Sequence, residues 1–205
     1  MKIKVLIVDD HAIFAFSLAS LLNAQPDIEV VGTANDGATA ALLASRLAPD
    51  IILMDLLMPG FDGVKTTRRL RADGIRAKIL FLTSLFCSDS LSRALESDVQ
   101  GAVLKNDEPP ELLKAIRKVA RGERFVSDEI QRILINTPPV PELSPRQREV
   151  LDLLVQGKGN AEIANSLDIR LDTVKEHLML IFDKLGVSSR AEAISLALSR
   201  HLLEF

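Results

Sequence analysis

Five polar residues stand where apolar runs stop: Asp9 and Asp10 after IKVLIV, Asp55 after IILM, Thr83 after KILFL and Lys105 after GAVL. If those runs are strands of one parallel sheet, their carboxyl ends share an edge, and open parallel sheets bind ligands outside that edge. Three carboxylates, a hydroxyl and an amine then converge. Carboxylates so close repel one another unless a cation holds them together. A hard divalent ion such as Mg2+ takes oxygen ligands from a few carboxylates and keeps several waters. Lys105 and Thr83 offer a positive charge and a hydrogen-bond donor to an incoming phosphoryl group. Within this set Asp55 has the place of a nucleophile that forms an acyl phosphate. A single strand-end Asp more often caps the next helix; five fitting residue types together favour the chemical role.

The elements that must position these residues are legible from patterning. Short β-branched runs over residues 3–8, 28–34, 50–55, 77–83 and 101–105 alternate with stretches such as 36–49 and 109–122, whose apolar residues recur at three and four. That is the pattern of a doubly wound, five-stranded parallel α/β sheet covered by helices on both faces. Past Gly122 the alternation stops, and TPPVP at 137–141 can continue neither helix nor ladder. The expected organisation is a first domain over 1–122, a linker over 123–141 with a short helix that Ser127 could cap and that could pack on either domain, and a second, all-α domain over 142–205. In that domain Ser144 and Pro145 open a helix, and Gly157 and Gly186 are stops.

Composition narrows the classes. With 205 residues and 47% hydrophobic content the chain has material for one or two cores, and a net charge of -3 leaves no global field for polyanions. One cysteine, Cys87, excludes an internal disulfide, and three scattered histidines (His11, His177, His201) suggest no structural zinc. The start, MKIKVLIVDD, lacks a signal-peptide core, and no apolar run reaches the roughly 18 residues of a membrane span. The expectation is a cytoplasmic protein without a membrane partner.

The motifs VDDH (8–11), MDLLMPGFDG (54–63), FLTS (81–84) and VLK (103–105) resemble those of the receiver domain, a flavodoxin-like fold, of bacterial two-component response regulators. The resemblance implies that Asp55 accepts a phosphoryl group from a sensor histidine kinase. It also implies that Asp10 and Asp55 ligate Mg2+, with Asp9 doing so directly or through water, and that Thr83 and Lys105 bind the phosphoryl oxygens. Pro59 and Gly60 would shape the following loop, and Asp62 would cap the next helix. Such a chain is no enzyme beyond its self-catalysed phosphorylation and dephosphorylation. An aspartyl-phosphate phosphatase would want a second Asp where Leu57 stands. One departure is Ala102, where receivers usually carry an aromatic residue or His whose rotation is coupled to the Thr; coupling must then run through Thr83 and its loop, with Phe86 a candidate helper. A receiver that works without phosphorylation, as a dimerisation or protein-interaction module, is the alternative. Leu57 and Leu85 should flank the path of an attacking water, so a slowly hydrolysing phosphorylated state is expected.

The tail from Leu143 to Leu198, with SPRQREVL, NAEIA, TVKEHL and KLGVSSRAEA, resembles the LuxR-type helix-turn-helix, and the whole chain resembles the NarL/FixJ class. A four-helix domain follows, whose recognition helix enters the major groove of double-stranded DNA. Lys175, Glu176 and Met179 fall on one outward face and are the candidate base contacts: guanine, cytosine N4 and a thymine methyl. Arg170, Thr173, Lys184, Ser189 and Arg190 are candidate phosphate contacts. Val174, Leu178, Ile181, Phe182 and Leu185 have the spacing of a buried face. Gly159 and Arg170 depart from the family's usual Ser or Thr, and Asp172 could take over capping. Residues 142–205 hold eight Lys plus Arg against ten Asp plus Glu, net -2. So weak an electrostatic contribution predicts a homodimer on paired operator half-sites. The stripe Ala193, Ile194, Ala197, Leu198 is either its interface or part of the domain's own core.

Overall fold

The computed structural model describes residues 2–58, 61–84, 88–136, 140–200 and 202–203, with only the backbone described at 57, 61, 62 and 88–90. The chain divides into two compact units, the first comprising Met1–Phe86 and Leu91–Thr137 and the second Pro138–Phe205 together with Cys87–Ser90.

The first unit runs β1 (Ile3–Val8), α1 (Ala12–Asn23), β2 (Ile28–Ala34), α2 (Gly37–Leu47), β3 (Ile51–Asp55), a small antiparallel pair β4 (Leu57–Met58) and β5 (Phe61–Asp62), and α3 (Gly63–Ala72). It continues with β6 (Lys78–Thr83), α4 (Ser88–Glu96), β7 (Gly101–Leu104), α5 (Pro109–Ala120), β8 (Phe125–Val126) and α6 (Asp128–Asn136). The main sheet is parallel throughout, in the order β2-β1-β3-β6-β7-β8. All five expected strands are present, and a sixth joins them.

The strands read as unbroken apolar runs because both faces of the sheet are covered. Val5, Ile7, Leu53, Leu80, Leu82 and Val103 face one core with α1 and α5, through Leu18, Leu22, Leu112, Ile116 and Val119. Leu6, Val8, Ile52, Met54, Ile79, Phe81 and Leu104 face the other, which includes Ala40, Ala44, Leu70, Leu91, Ala94 and Ile130 from helices. Burying a Leu or Ile fully contributes roughly 1.5–3 kcal/mol, so this alternation fixes register: a one-residue slip would exchange the two faces.

α2 is capped by Asp36, whose carboxylate accepts from the amides of Ala38 and Thr39 at 2.8 Å. It stops at Ala48, held at φ 44° and ψ 61°, a left-handed conformation, just before Pro49. Such a conformation costs an L residue about 1–2 kcal/mol. Ala48→Gly is therefore expected to raise stability by roughly 0.5–1 kcal/mol after the entropy of glycine in the unfolded chain, seen as a higher urea midpoint at unchanged slope.

The segment expected as a linker belongs for the most part to this unit. The Phe125 amide donates to the Gln100 carbonyl at 2.9 Å and the Ser127 amide to the Ala102 carbonyl at 3.1 Å, which seats β8 against β7. Gly101 makes the approach possible, because a Cβ there would lie 1.6 Å from the Phe125 carbonyl oxygen. From β8 the chain enters α6, whose Ile130 is fully buried and whose Ile133 and Leu134 pack on the same core. Ser127 does not cap it by a side-chain hydrogen bond: its buried hydroxyl has no partner among the described residues.

The second unit is helical: α7 (Pro145–Val155), α8 (Asn160–Leu167), α9 (Leu171–Leu185) and α10 (Arg190–Ser199). Its core gathers Leu143, Val150, Leu151, Leu154, Ile163, Val174, Leu178, Ile181, Leu185 and Ala193. Ser144 opens α7 in a capping box, accepting from the Gln147 amide at 3.2 Å while its own amide donates to the Gln147 side chain at 2.9 Å. Gly186, at φ 67°, ends α9 where the sequence placed a stop. The tight turn between α8 and α9 passes through Asp168 in the left-handed region at φ 50°. Among the described residues no helix is long and apolar enough to cross a membrane.

Candidate functional site

Register assembles the polar edge. Val8 pairs with Met54, which sets Asp9, just past β1, beside Asp55 at the end of β3. Thr83 pairs with Leu104, and the next amide, that of Lys105, donates to the Thr83 carbonyl at 2.8 Å. All five residues expected at the site are brought together by four neighbouring strands. Asp9 and Asp55 are each 3% exposed and Thr83 1%, so the groups are nearly removed from water.

The Lys105 ammonium lies 2.7 Å from an Asp55 oxygen and 2.7 Å from an Asp9 oxygen, bridging the two carboxylates. Burial by itself would lower the pKa of this lysine; the hydrogen bonds and charges of Asp55 and Asp9 outweigh it and hold the ammonium above its ordinary value. The other oxygen of Asp9 accepts from the His11 amide at 2.9 Å. Asp10 differs from both. Its Oδ1 is buried and has no hydrogen-bond partner among the described residues; the His11 Nδ1 is 3.0 Å away but not in hydrogen-bond geometry.

An orphaned carboxylate oxygen beside two further acids is an arrangement that a hard cation completes. Ligand atoms from Asp9, Asp10, Asp55 and His11 all lie within 4.8 Å of one another. Trans ligands of an octahedral ion with bonds near 2.1 Å stand about 4.2 Å apart, so the carboxylates need to close only slightly. The cluster can bind a metal, and its donors are oxygen-rich.

Two contributors escaped the sequence reading. Phe14, on α1, places its ring 4.8 Å from the Lys105 ammonium, a cation–π contact that roofs the pair. Its signal was only its position one turn into the helix after VDDH. Gly63 begins α3 against the backbone that follows β3: a Cβ there would meet the Asp55 carbonyl at 2.7 Å and the Leu56 Cα at 3.1 Å. The side chains of Leu57 and Asp62, and residues Pro59, Gly60, Leu85 and Phe86 altogether, lie outside the described residues, and the roles expected of them with it. Ala102 is fully buried in β7, between Phe81 of β6 and Val126 of β8.

In the helical unit, α9 exposes Lys175, Glu176 and Met179 and buries Val174, Leu178, Ile181 and Leu185. Phe182 packs against that core partly buried. Arg170 is exposed at the start of α9, where it makes no side-chain cap, and Thr173 is half-buried. Asp172 does not take over capping; it pairs with Lys175 at 2.8 Å.

Three of the expected phosphate contacts are committed inside the domain. Lys184 donates to the Glu142 carbonyl at 2.7 Å and the Gln147 side chain at 2.9 Å. Arg190 donates to the Lys158 and Leu154 carbonyls at 2.5 and 3.4 Å, and the Ser189 hydroxyl caps α10 by accepting from the Glu192 amide at 3.2 Å. Where Gly159 replaces a hydroxyl residue, half a capping box survives, its amide donating to Glu162 at 2.7 Å. The last-helix stripe packs mainly at home: Ala193 and Ala197 are buried, Ile194 is partly so, and Leu198 is exposed.

A parallel sheet with a buried Asp–Lys pair and an acidic cluster at its carboxyl edge, followed by a helix-turn-helix unit, defines a class of signalling protein. Residues 5–117 match the response regulator receiver domain, and residues 141–197 match the bacterial regulatory proteins of the luxR family. The chain belongs to the response regulators that join a receiver to a LuxR-type DNA-binding domain. It is 37% identical to the transcriptional regulatory protein LiaR of Bacillus subtilis, with 98% of this chain and 99% of that one covered. It is likewise 37% identical to the response regulator protein VraR of Staphylococcus aureus, over 100% of both. Among solved structures, RcsB of Salmonella enterica serovar Typhimurium bound to promoter P1flhDC with the phosphomimetic BeF3- is 28% identical with a TM-score of 0.73, over 96% of this chain and 98% of that one. The response regulator ChrA of a heme-sensing system is 33% identical with a TM-score of 0.60, over 98% of both.

Proposed function

We propose that Asp55 takes a phosphoryl group from the phosphohistidine of a sensor kinase and that this modification controls operator binding by the helix-turn-helix unit. The observation that carries the reading is the buried Asp55–Lys105–Asp9 bridge beside the orphaned Asp10 oxygen. In the transfer, the phosphorus–nitrogen bond of the donor breaks and a bond from an Asp55 carboxylate oxygen to phosphorus forms; the imidazole departs with the bonding electrons and is protonated. Asp9, Asp10 and Asp55 would hold Mg2+, which when bound neutralises phosphoryl oxygens. Lys105, already 2.7 Å from Asp55, supplies a fixed positive charge to the group as it arrives. Thr83, at the neighbouring strand end, donates its hydroxyl to a phosphoryl oxygen. The role is regulatory, with no turnover of an external substrate beyond the chain's own phosphorylation and dephosphorylation.

Without an aromatic at 102, the change runs through Thr83 and the loop after it. The switched protein then binds as a homodimer on two half-sites, with Arg170, Thr173, Lys175, Glu176 and Met179 toward the DNA. The test is operator affinity, on fragments selected by binding, with and without beryllofluoride and Mg2+. Wild type should bind at least tenfold tighter with the mimic, and Asp55→Ala should not respond. Equal response by both proteins would contradict the reading, and no response by either would favour control without phosphorylation.

A further inference from the structure

We propose that α9 reads its half-site chiefly through thymine methyl groups, with Leu171 and Met179 as the contacting side chains, and that guanine is disfavoured beneath it. The inference rests on the DNA-binding function proposed above and names the base chemistry of that same helix.

Residues 171, 175 and 179 share one stripe of α9, and 172 and 176 share the next. On the first, Leu171 is 43% and Met179 64% exposed, large apolar groups outside the domain's core. On the second, Asp172 and Glu176 are exposed acids. Lys175, the one cation on these two stripes among the described residues, sits 2.8 Å from the Asp172 carboxylate. Arg170, exposed at the start of α9, stands at the end of these stripes and serves a phosphate, and the other nearby cations are turned elsewhere. Lys184 and Arg190 are turned to backbone carbonyls, Arg148 is paired with Glu142, and Arg146 with Glu149 and the Leu167 carbonyl.

The major groove offers one apolar group, the C5 methyl of thymine, so apolar side chains there find a partner nowhere else. Guanine presents two acceptors, N7 and O6, to a face carrying two carboxylates, an unfavourable pairing. Cytosine and adenine each present an amino donor, which Glu176 can accept. The leucine and the methionine are eight residues apart, about 12 Å along the helix. With bases stacked at about 3.4 Å, the two thymines should be roughly three to four steps apart.

The experiment uses the full chain with beryllofluoride and Mg2+, DNA fragments selected by binding, and the same fragments resynthesised with deoxyuridine for thymidine, which removes only the methyl groups. Wild type should lose about fourfold in affinity for each contacted thymine. Leu171→Ala and Met179→Ala, both at exposed sites that leave the fold intact, should each cease to distinguish thymine from uracil at one position. Equal binding of both DNAs by wild type overturns the proposal. So does a uracil penalty unchanged in both variants, or a selected half-site centred on guanines whose recognition is lost in Lys175→Ala. Failure to select any DNA would overturn the DNA-binding function itself and this inference with it.

Discussion

Replacing Lys105 by methionine is expected to lower stability by about 3–5 kcal/mol, because it leaves two buried carboxylates without the charge that bridges them. Methionine keeps most of the apolar stem and loses the ammonium, with its bridge to the carboxylates and its contact with the Phe14 ring. Because the folded pKa of Lys105 is raised above 10.5, its stabilisation is complete at neutral pH and is lost only as pH rises through that raised value. The variant should also gain more from divalent cation than wild type, since Mg2+ would then supply the positive charge that residue 105 no longer brings to Asp9 and Asp55. Urea unfolding with and without millimolar Mg2+ measures both effects. A loss below about 1 kcal/mol, or equal gains from Mg2+ in both proteins, would mean that the bridge does not organise the site.

The second large effect is expected at Gly101. An added methyl would fall 1.6 Å from the Phe125 carbonyl oxygen, far inside any contact distance, so β8 must leave β7. Gly101→Ala should therefore cost about 3 kcal/mol, as overpacking with loss of two ladder bonds does. It should also raise hydrogen exchange at the Phe125 and Ser127 amides before exchange rises in β1 or β3. If the Gly101→Ala substitution is tolerated within about 0.5 kcal/mol with both amides still protected, the sixth strand is not fastened as described.

Why β8 and α6 were less legible than the rest follows from their physics. A β-branched run such as IKVLIV announces a strand because its burial pattern is local. β8 has two residues, and what makes it a strand is a carbonyl approach across a distant glycine. The helix after it was legible, but its docking through Ile130 is a contact with residues distant in sequence, which no periodicity encodes. The acidic edge was legible because strand ends in a parallel sheet must share an edge whatever their loops do. Phe14 was not, since a ring one turn into a helix carries no mark of the ammonium it will cover.

The same distinction holds in the helical unit. Spacing gave the buried face of α9 and the outward set Lys175, Glu176 and Met179. It could not tell where long cationic side chains end, and Lys184 and Arg190 reach carbonyls of neighbouring segments rather than the surface. Both were expected at phosphates because a basic residue near a recognition helix commonly is. With them occupied, the domain's net charge of -2 weighs more heavily, and the salt dependence of operator binding should be shallow.

The central claim is that Asp55 is the phosphoryl acceptor. The most direct measurement is incorporation of phosphate from a small donor, acetyl phosphate, in the presence of Mg2+, followed by intact-mass analysis of wild type, Asp55→Asn and Lys105→Met. Wild type should gain one phosphoryl group, Asp55→Asn none and Lys105→Met one at least tenfold more slowly, with none in any protein when Mg2+ is chelated. Equal incorporation into wild type and Asp55→Asn would contradict the claim.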